Sequence, residues 1–148
     1  MDTPIKINFS NPSSFTDSVV ISASINVQEK IVGVLDFVVT GNKCTLDLSS
    51  CMKINNINVK GLCPKFKEKN AFFSDVFSSI HPPLECPIMP NNYTLAPTTM
   101  DLKFARIFSL EGYVITVNFK VVSTDKKSKT KRTVICMIME VKKPFIHL

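Results

Sequence analysis

Alternation of apolar and polar residues with period two recurs along this chain and constrains its fold more than any other feature. Val19, Ile21, Ala23, Ile25 and Val27 alternate with Val20, Ser22, Ser24 and Asn26, the pattern of a strand with one buried face. Tyr113, Ile115, Val117, Phe119 and Val121 share a face in the same way, with Val114, Thr116, Asn118 and Lys120 on the other. The segment from Ile31 to Thr40 carries apolar residues on both faces around Asp36, as a strand covered on both sides does, and Gly41-Asn42 is expected to end it. Thr133 to Lys142 places Val134, Cys136 and Ile138 on one side and Ile135, Met137, Met139 and Val141 on the other. Shorter strands are predicted at Ile5–Phe9, Ile54–Lys60, Tyr93–Leu95 and Leu102–Ile107. The polar stretch from Ser123 to Lys131 reads as the tip of a long basic hairpin. Short strands separated by turn signals imply an all-β, two-sheet β-sandwich, here one domain spanning residues 1–148 without repeats or linkers.

One segment departs from strand spacing. Between Phe66 and Ile80 the apolar residues fall at 72, 73, 76, 77 and 80, which is helical spacing over about two turns. Pro82-Pro83 closes it, and the proline-rich stretch to Pro97 is expected to cross the molecule in extended form.

Composition narrows the function classes. The formal net charge is +6, but the 18 basic residues include only two arginines, Arg106 and Arg132. Lysine is poorly suited to the bidentate contacts that read bases, so nucleic acid is not an expected partner. No apolar run is long enough to form a membrane-spanning helix. Five cysteines, Cys44, Cys51, Cys63, Cys86 and Cys136, point to an oxidising compartment; two bridges among five thiols leave fifteen connectivities open. Asn8-Phe9-Ser10 and Asn92-Tyr93-Thr94 are glycosylation sequons. Met1-Asp2-Thr3-Pro4 has no apolar region of a signal peptide after it, so either the protein is cytosolic or Met1 stands in front of a mature chain, the second being the expectation that the cysteine frame below favours.

Catalytic motifs are missing: there is no G-x-S-x-G, no H-E-x-x-H and no phosphate-binding glycine loop. With two histidines and no C-x-x-C pair, no metal is expected, nor any cofactor. His81 precedes two prolines and reads as a loop residue, and His147 reads as part of a frayed tail. Cys86, five residues after His81, fits a bridge better than a thiol dyad. Asp101 and Glu111 read as strand-edge charges. The chain is therefore expected to be non-enzymatic.

The cysteine frame resembles a known family. Cys44-Thr45-Leu46-Asp47-Leu48-Ser49-Ser50-Cys51 is similar to the short disulfide loop of the ML (lipid-recognition) family in its ganglioside-activator branch, which includes insect chemosensory proteins. Pro83-Leu84-Glu85-Cys86-Pro87 running on to Tyr93-Thr94-Leu95, then Leu110-Glu111-Gly112-Tyr113-Val114-Ile115, then Lys131 to Cys136, follow the branch's order and spacing over roughly residues 4 to 142. The chain departs from the pattern at Asn92, where the family carries glycine, in lacking one inner disulfide between Cys63 and Cys86, and in having no cysteine upstream of Cys44 to partner Cys136.

The resemblance implies an immunoglobulin-like β-cup around an apolar internal cavity, and bridges Cys44–Cys51 and Cys63–Cys86, leaving Cys136 as a free thiol, expected to be buried in mid-strand. It implies a secreted or lysosomal protein that binds, transfers or presents a lipid or other long-chain apolar ligand. The alternative is a receptor-accessory or chemosensory module without bulk lipid transfer. Candidate ligand contacts are Ile25, Phe37, Phe72, Phe73, Phe77, Leu102, Phe104, Ile115, Val117, Phe119 and Met137. Lys65, Lys67, Lys69, Lys126, Lys127 and Lys129 are candidates for anionic head groups of a membrane surface, and a protein receptor or hydrolase is a further candidate partner.

Overall fold

The computed structural model describes residues 2–10, 13–14, 18–69, 74–101, 113–142 and 145–147. These form two antiparallel sheets, so the all-β sandwich with short helical segments is the observed architecture. In the first sheet β1 (Ile5–Phe9) and β2 (Ser13–Ser14) pair with β3 (Ser18–Val27), followed by β7 (Asn91–Asp101) and β6 (Ile80–His81). In the second, β4 (Val34–Thr45) lies between β5 (Cys51–Val59) and β8 (Tyr113–Thr124), and β9 (Lys131–Lys142) and β10 (Phe145–His147) follow. The sheets approach each other where β1 meets β9. Two helices pack on the sandwich: α1 (Leu62–Lys65) against β4 and α2 (Ser74–Ser78) against β7.

The alternation of β3 is realised as read. Ile21, Ala23 and Val27 are buried beside Tyr93 and Leu95 of β7 and Ile5 of β1, and Ser24 and Asn26 face solvent. Leu35, Val121 and Val134 enter the same core from the second sheet, with Leu62 of α1. Ile31 and Ile88 join it as an isolated bridge between the two loops. Burial of side chains of this size is worth about 1.5–3 kcal/mol each, and this shared cluster joins the two sheets.

Several strand limits differ from the sequence reading. The second long strand begins at Val34, because Gly33 takes φ +92° and breaks the extended run after Ile31. It does not stop at Gly41-Asn42: Gly41 pairs with Val117 and Asn42 with Thr116, and a register shift on the β5 side absorbs the irregularity. A central strand paired on both sides overrides the local turn signal. The short helical segment expected near 66–80 is present as α2 (Ser74–Ser78), before Ile80 enters β6, and a further helical turn, α1, lies ahead of Phe66, where Gly61 at φ +68° turns the chain. His147 is not in a frayed tail, since β10 pairs with β9 from Lys142 back to Glu140. The strand expected at 102–107 lies outside the described residues.

The last hairpin carries a bulge. Val121 pairs with Ile135 and Val122 with Thr133, so Val134 is the extra residue. A bulge turns neighbouring side chains to one side: Val134 is fully buried and Ile135 packs against the same core. The expected grouping of Val134 with Cys136 and Ile138 is therefore corrected. Cys136 pairs with Lys120 and Ile138 with Asn118, on the opposite face.

Candidate ligand-binding interior

The register of the second sheet gathers most of the candidate contacts on one surface. In the β4–β8 ladder Phe37 stands opposite Val121, Val39 opposite Phe119, Gly41 opposite Val117 and Lys43 opposite Ile115; β9 adds Met137 opposite Phe119. Paired residues point to the same face of a sheet, so Phe37, Ile115, Val117, Phe119 and Met137 share the inner face with Leu35 and Val121. Ile25 faces them from the first sheet, opposite Tyr93, and packs against the core as Phe37 does. The Phe37 and Phe119 rings stack with centroids 5.9 Å apart and planes 20° apart. Leu102, Phe104, Phe72 and Phe73 lie outside the described residues.

Burial along this face is uneven. Leu35 is 1% exposed and Val134 0% at one end. Phe37, Val39, Val117, Phe119 and Met137 are half-buried. At the β5 edge, Ile57, opposite Val39, is 58% exposed and Met52, opposite Lys43, is 65% exposed. Ile115, beyond Val117 on the same face, is 5% exposed, so a half-buried apolar strip lies between two buried ends and is open toward the β5 edge.

The helical segments border this interior. Phe77 of α2 meets Phe66 edge-to-face, with ring centroids 4.9 Å apart and an interplanar angle of 70°, and both pack against the core. A cleft of about 160 Å³ opens beside them, lined by Phe66, Phe77, Ile80, Pro83 and Leu84 among others. The Cys63–Cys86 bridge fastens α1 to the proline-rich crossing. A larger cleft, about 360 Å³, lies not between the sheets but under the basic hairpin, where Lys30, Val32, Ser123, Asp125, Ser128 and Arg132 line it.

Both bridges implied by the cysteine frame are present, Cys44–Cys51 and Cys63–Cys86, and Cys136 is free. Its burial is less than expected. Cys136 is half-buried on the outer face, its thiol 3.8 Å from Asn118 Oδ1, because the Val134 bulge directs Val134, rather than the cysteine, into the core.

The candidate head-group lysines fall into two groups. Lys126, Lys127 and Lys129 are exposed on the hairpin tip. Asp125 organises that tip by accepting the Lys127 and Ser128 amides, and the Ser128 and Lys127 amides hold its carboxyl below the usual range. Lys65 pairs with Glu68 at 3.4 Å and Lys67 with Glu85 at 3.7 Å, and Lys69 is exposed. Arg132 is ion-paired with Glu29, which raises its pKa further. Of the sequon residues, Asn8 is exposed on β1, and Asn92 is exposed but accepts a 2.5 Å hydrogen bond from Asn26 Nδ2.

Among the described residues no group of three His, Cys, Asp or Glu could hold a metal ion, and no helix is long and apolar enough to cross a membrane. Leu46 and Leu48, inside the Cys44–Cys51 bridge, are not among the candidate contacts, yet both are prominently exposed. The signal was present in Thr45-Leu46-Asp47-Leu48-Ser49, since Thr, Asp and Ser at these spacings build hydrogen-bonded turns.

Comparison with protein-family models and with curated proteins gives no match. Among solved structures, a crystal structure of a protein from Archaeoglobus fulgidus is similar over 93% of this chain and 94% of its own, at 10% identity and a TM-score of 0.31. The solution structure of R. palustris CsgH covers 88% of this chain and 90% of its own, at 8% identity and a TM-score of 0.22. At those TM-scores neither likeness bears on this chain's function.

Proposed function

We propose that this protein is a non-enzymatic, secreted carrier that holds a long-chain apolar molecule against the inner face of its second sheet, as the resemblance to the ML family implies. The observation that carries the reading is the half-buried apolar strip between Leu35 and Ile115. A sandwich that served only as a scaffold would bury Phe37, Val117, Phe119 and Met137 as completely as Leu35 and Val134, because half-buried apolar surface forgoes about 25 cal/mol for each Å² left wet. Here the apolar strip continues out to Ile57 and Met52. An acyl chain laid along it would complete the burial. The bridges support the reading physically, since a sandwich that leaves part of its interior for a ligand gains from cross-links that restrict the unfolded chain.

Organic extraction of the purified protein followed by mass spectrometry tests this directly. The expected result is a co-purifying acyl or isoprenoid compound, displaceable by a fluorescent fatty acid. Val117→Trp, which places an indole on the strip, should abolish probe uptake. An extract free of apolar molecules, together with no probe binding by the wild type, would reject the reading.

A further inference from the structure

The turn joining β4 to β5 is built differently from the rest of the surface. Leu46 is 63% exposed and Leu48 61%, on a projecting loop of seven-residue sequence separation closed by the Cys44–Cys51 bridge. Met52 and the partly exposed Tyr113 stand at its base. The polar groups of the loop turn inward on Asp47. Its carboxylate accepts hydrogen bonds from Thr45 Oγ1 at 2.6 Å, Ser49 Oγ at 2.7 Å and the Ser49 amide at 3.0 Å. The Thr45 amide donates to Ser50 O, the Leu48 amide to Thr45 O and the Ser50 amide to Thr45 Oγ1. Leu48 is held at φ +61°, a left-handed conformation that disfavours any side chain other than glycine or asparagine. The outcome is two exposed leucines on a loop whose Thr45, Asp47 and Ser49 side chains bond to one another.

We propose that the Cys44–Cys51 loop is a membrane-interface anchor, inserting Leu46 and Leu48 among the acyl chains of an anionic bilayer. Two observations select a bilayer. Leu46 and Leu48 are exposed together on one short loop, which suits a deformable apolar phase. The rim is net basic: Lys43 adjoins one end of the bridge with Nζ 4.3 Å from the Tyr113 ring centroid, and Lys53 is exposed just beyond the other, against the single negative charge of Asp47, whose carboxylate is turned to its three donors within the loop. Lysine and tyrosine at the rim of an apolar tip match the head-group layer. The inference stands whether or not the interior carries cargo. It also moves the membrane-facing surface from the Lys126–Lys129 hairpin tip to the opposite end of β4, since Thr45 pairs with Tyr113 and Val34 with Thr124.

The test is flotation with vesicles of phosphatidylcholine alone and of phosphatidylcholine mixed with phosphatidylserine. Wild-type protein should float with the mixed vesicles. The double variant Leu46→Ser/Leu48→Ser should lose about tenfold or more in partitioning, the loss that about 1.4 kcal/mol of forgone burial produces. Lys43→Gln/Lys53→Gln should reproduce the effect of added salt, and Lys126→Gln/Lys127→Gln/Lys129→Gln should bind as wild type. Because the chain contains no tryptophan, Leu46→Trp supplies a sole indole reporter in an otherwise intact loop; its emission should shift to the blue on mixed vesicles and be quenched by brominated acyl chains. Absence of wild-type flotation, unchanged binding of the serine variant, loss of binding in the hairpin-lysine variant, or a Trp emission insensitive to vesicles would each overturn the proposal.

Discussion

Phe37 and Phe119 stack across the β4–β8 ladder although neither is the other's direct partner: Phe37 pairs with Val121 and Phe119 with Val39. The rings meet on the diagonal, a separation that long aromatic side chains bridge and smaller ones do not. The pair marks the boundary between the sealed core and the accessible strip. Phe119→Ala should cost about 2 kcal/mol, below the usual range for a fully buried phenylalanine because Phe119 is half-buried. In urea titrations, a double-mutant cycle with Phe37→Ala should return a coupling of about 0.5–1.5 kcal/mol. A coupling near zero would show that the stacking adds nothing beyond buried area.

Gly33→Ala should be among the most damaging small substitutions in the chain. The backbone there has φ +92°, and an added Cβ would lie 2.5 Å from Thr124 O. The atom it meets is backbone in the β8 hairpin strand, so relief requires β4 and β8 to part. A loss of about 2–3 kcal/mol is expected, read as a lower urea midpoint with unchanged slope. Gly61→Ala, at φ +68° but with open space around it, should cost less, about 1–2 kcal/mol.

The two bridges should differ in worth. Chain-entropy arithmetic gives about 3 kcal/mol for the 23-residue separation of Cys63–Cys86 and about 2 kcal/mol for the 7-residue separation of Cys44–Cys51. Single Cys→Ser pairs compared by thermal melting should fall in that order, with the α1 region loosened in the first and the leucine loop in the second.

Acid should leave the Cys44–Cys51 loop intact until well below the ordinary carboxylate range. Hydrogen bonds from Thr45, then from the Ser49 side chain and amide, lower the Asp47 pKa to about 2. A depressed folded-state pKa means that the stabilisation is fully present above the unfolded value of about 3.9 and is lost as pH falls through about 2. An NMR titration following the Ser49 amide should therefore show its midpoint near pH 2, and flotation should persist at pH 4. A midpoint near 4 would mean that the Asp47 network does not hold in solution.

Much of the sandwich was readable because β3 buries one face, and period-two spacing records that burial directly; β8 follows the rule less closely, since Val114 is buried as well as Ile115 and Val121. Features set by pairing partners were not readable. Gly41-Asn42 looks like a turn to any local rule, but it lies in a ladder bonded on both sides. The Val134 bulge shifts parity by one residue, so no alternation count across it could tell which of Val134 and Cys136 is buried. The candidate interior was legible as a set of apolar residues on one face, whereas which of them are sealed, as Leu35 and Ile115 are, and which half-buried, as Val117 and Phe119 are, depends on packing that local spacing does not record. The cysteine pairing came through resemblance alone, since fifteen connectivities fit the composition.

Leu48 joins stability and use in a single torsion. Leu48→Gly should stabilise the fold by about 1 kcal/mol by relieving the left-handed backbone, and should weaken vesicle binding; equal melting of the two proteins would remove the strain argument.

The β4–β8 ladder also sets a posture. Its twelve pairs, from Thr45 opposite Tyr113 to Val34 opposite Thr124, extend about 36 Å at strand spacing. A molecule anchored at Leu46 and Leu48 stands upright on the bilayer, with the Lys126–Lys129 tip several screening lengths above the lipid phosphates at physiological salt, where a screening length is about 8 Å. Held there, the basic crown feels little of the membrane beneath it and is left free to meet whatever acidic surface approaches from the aqueous side.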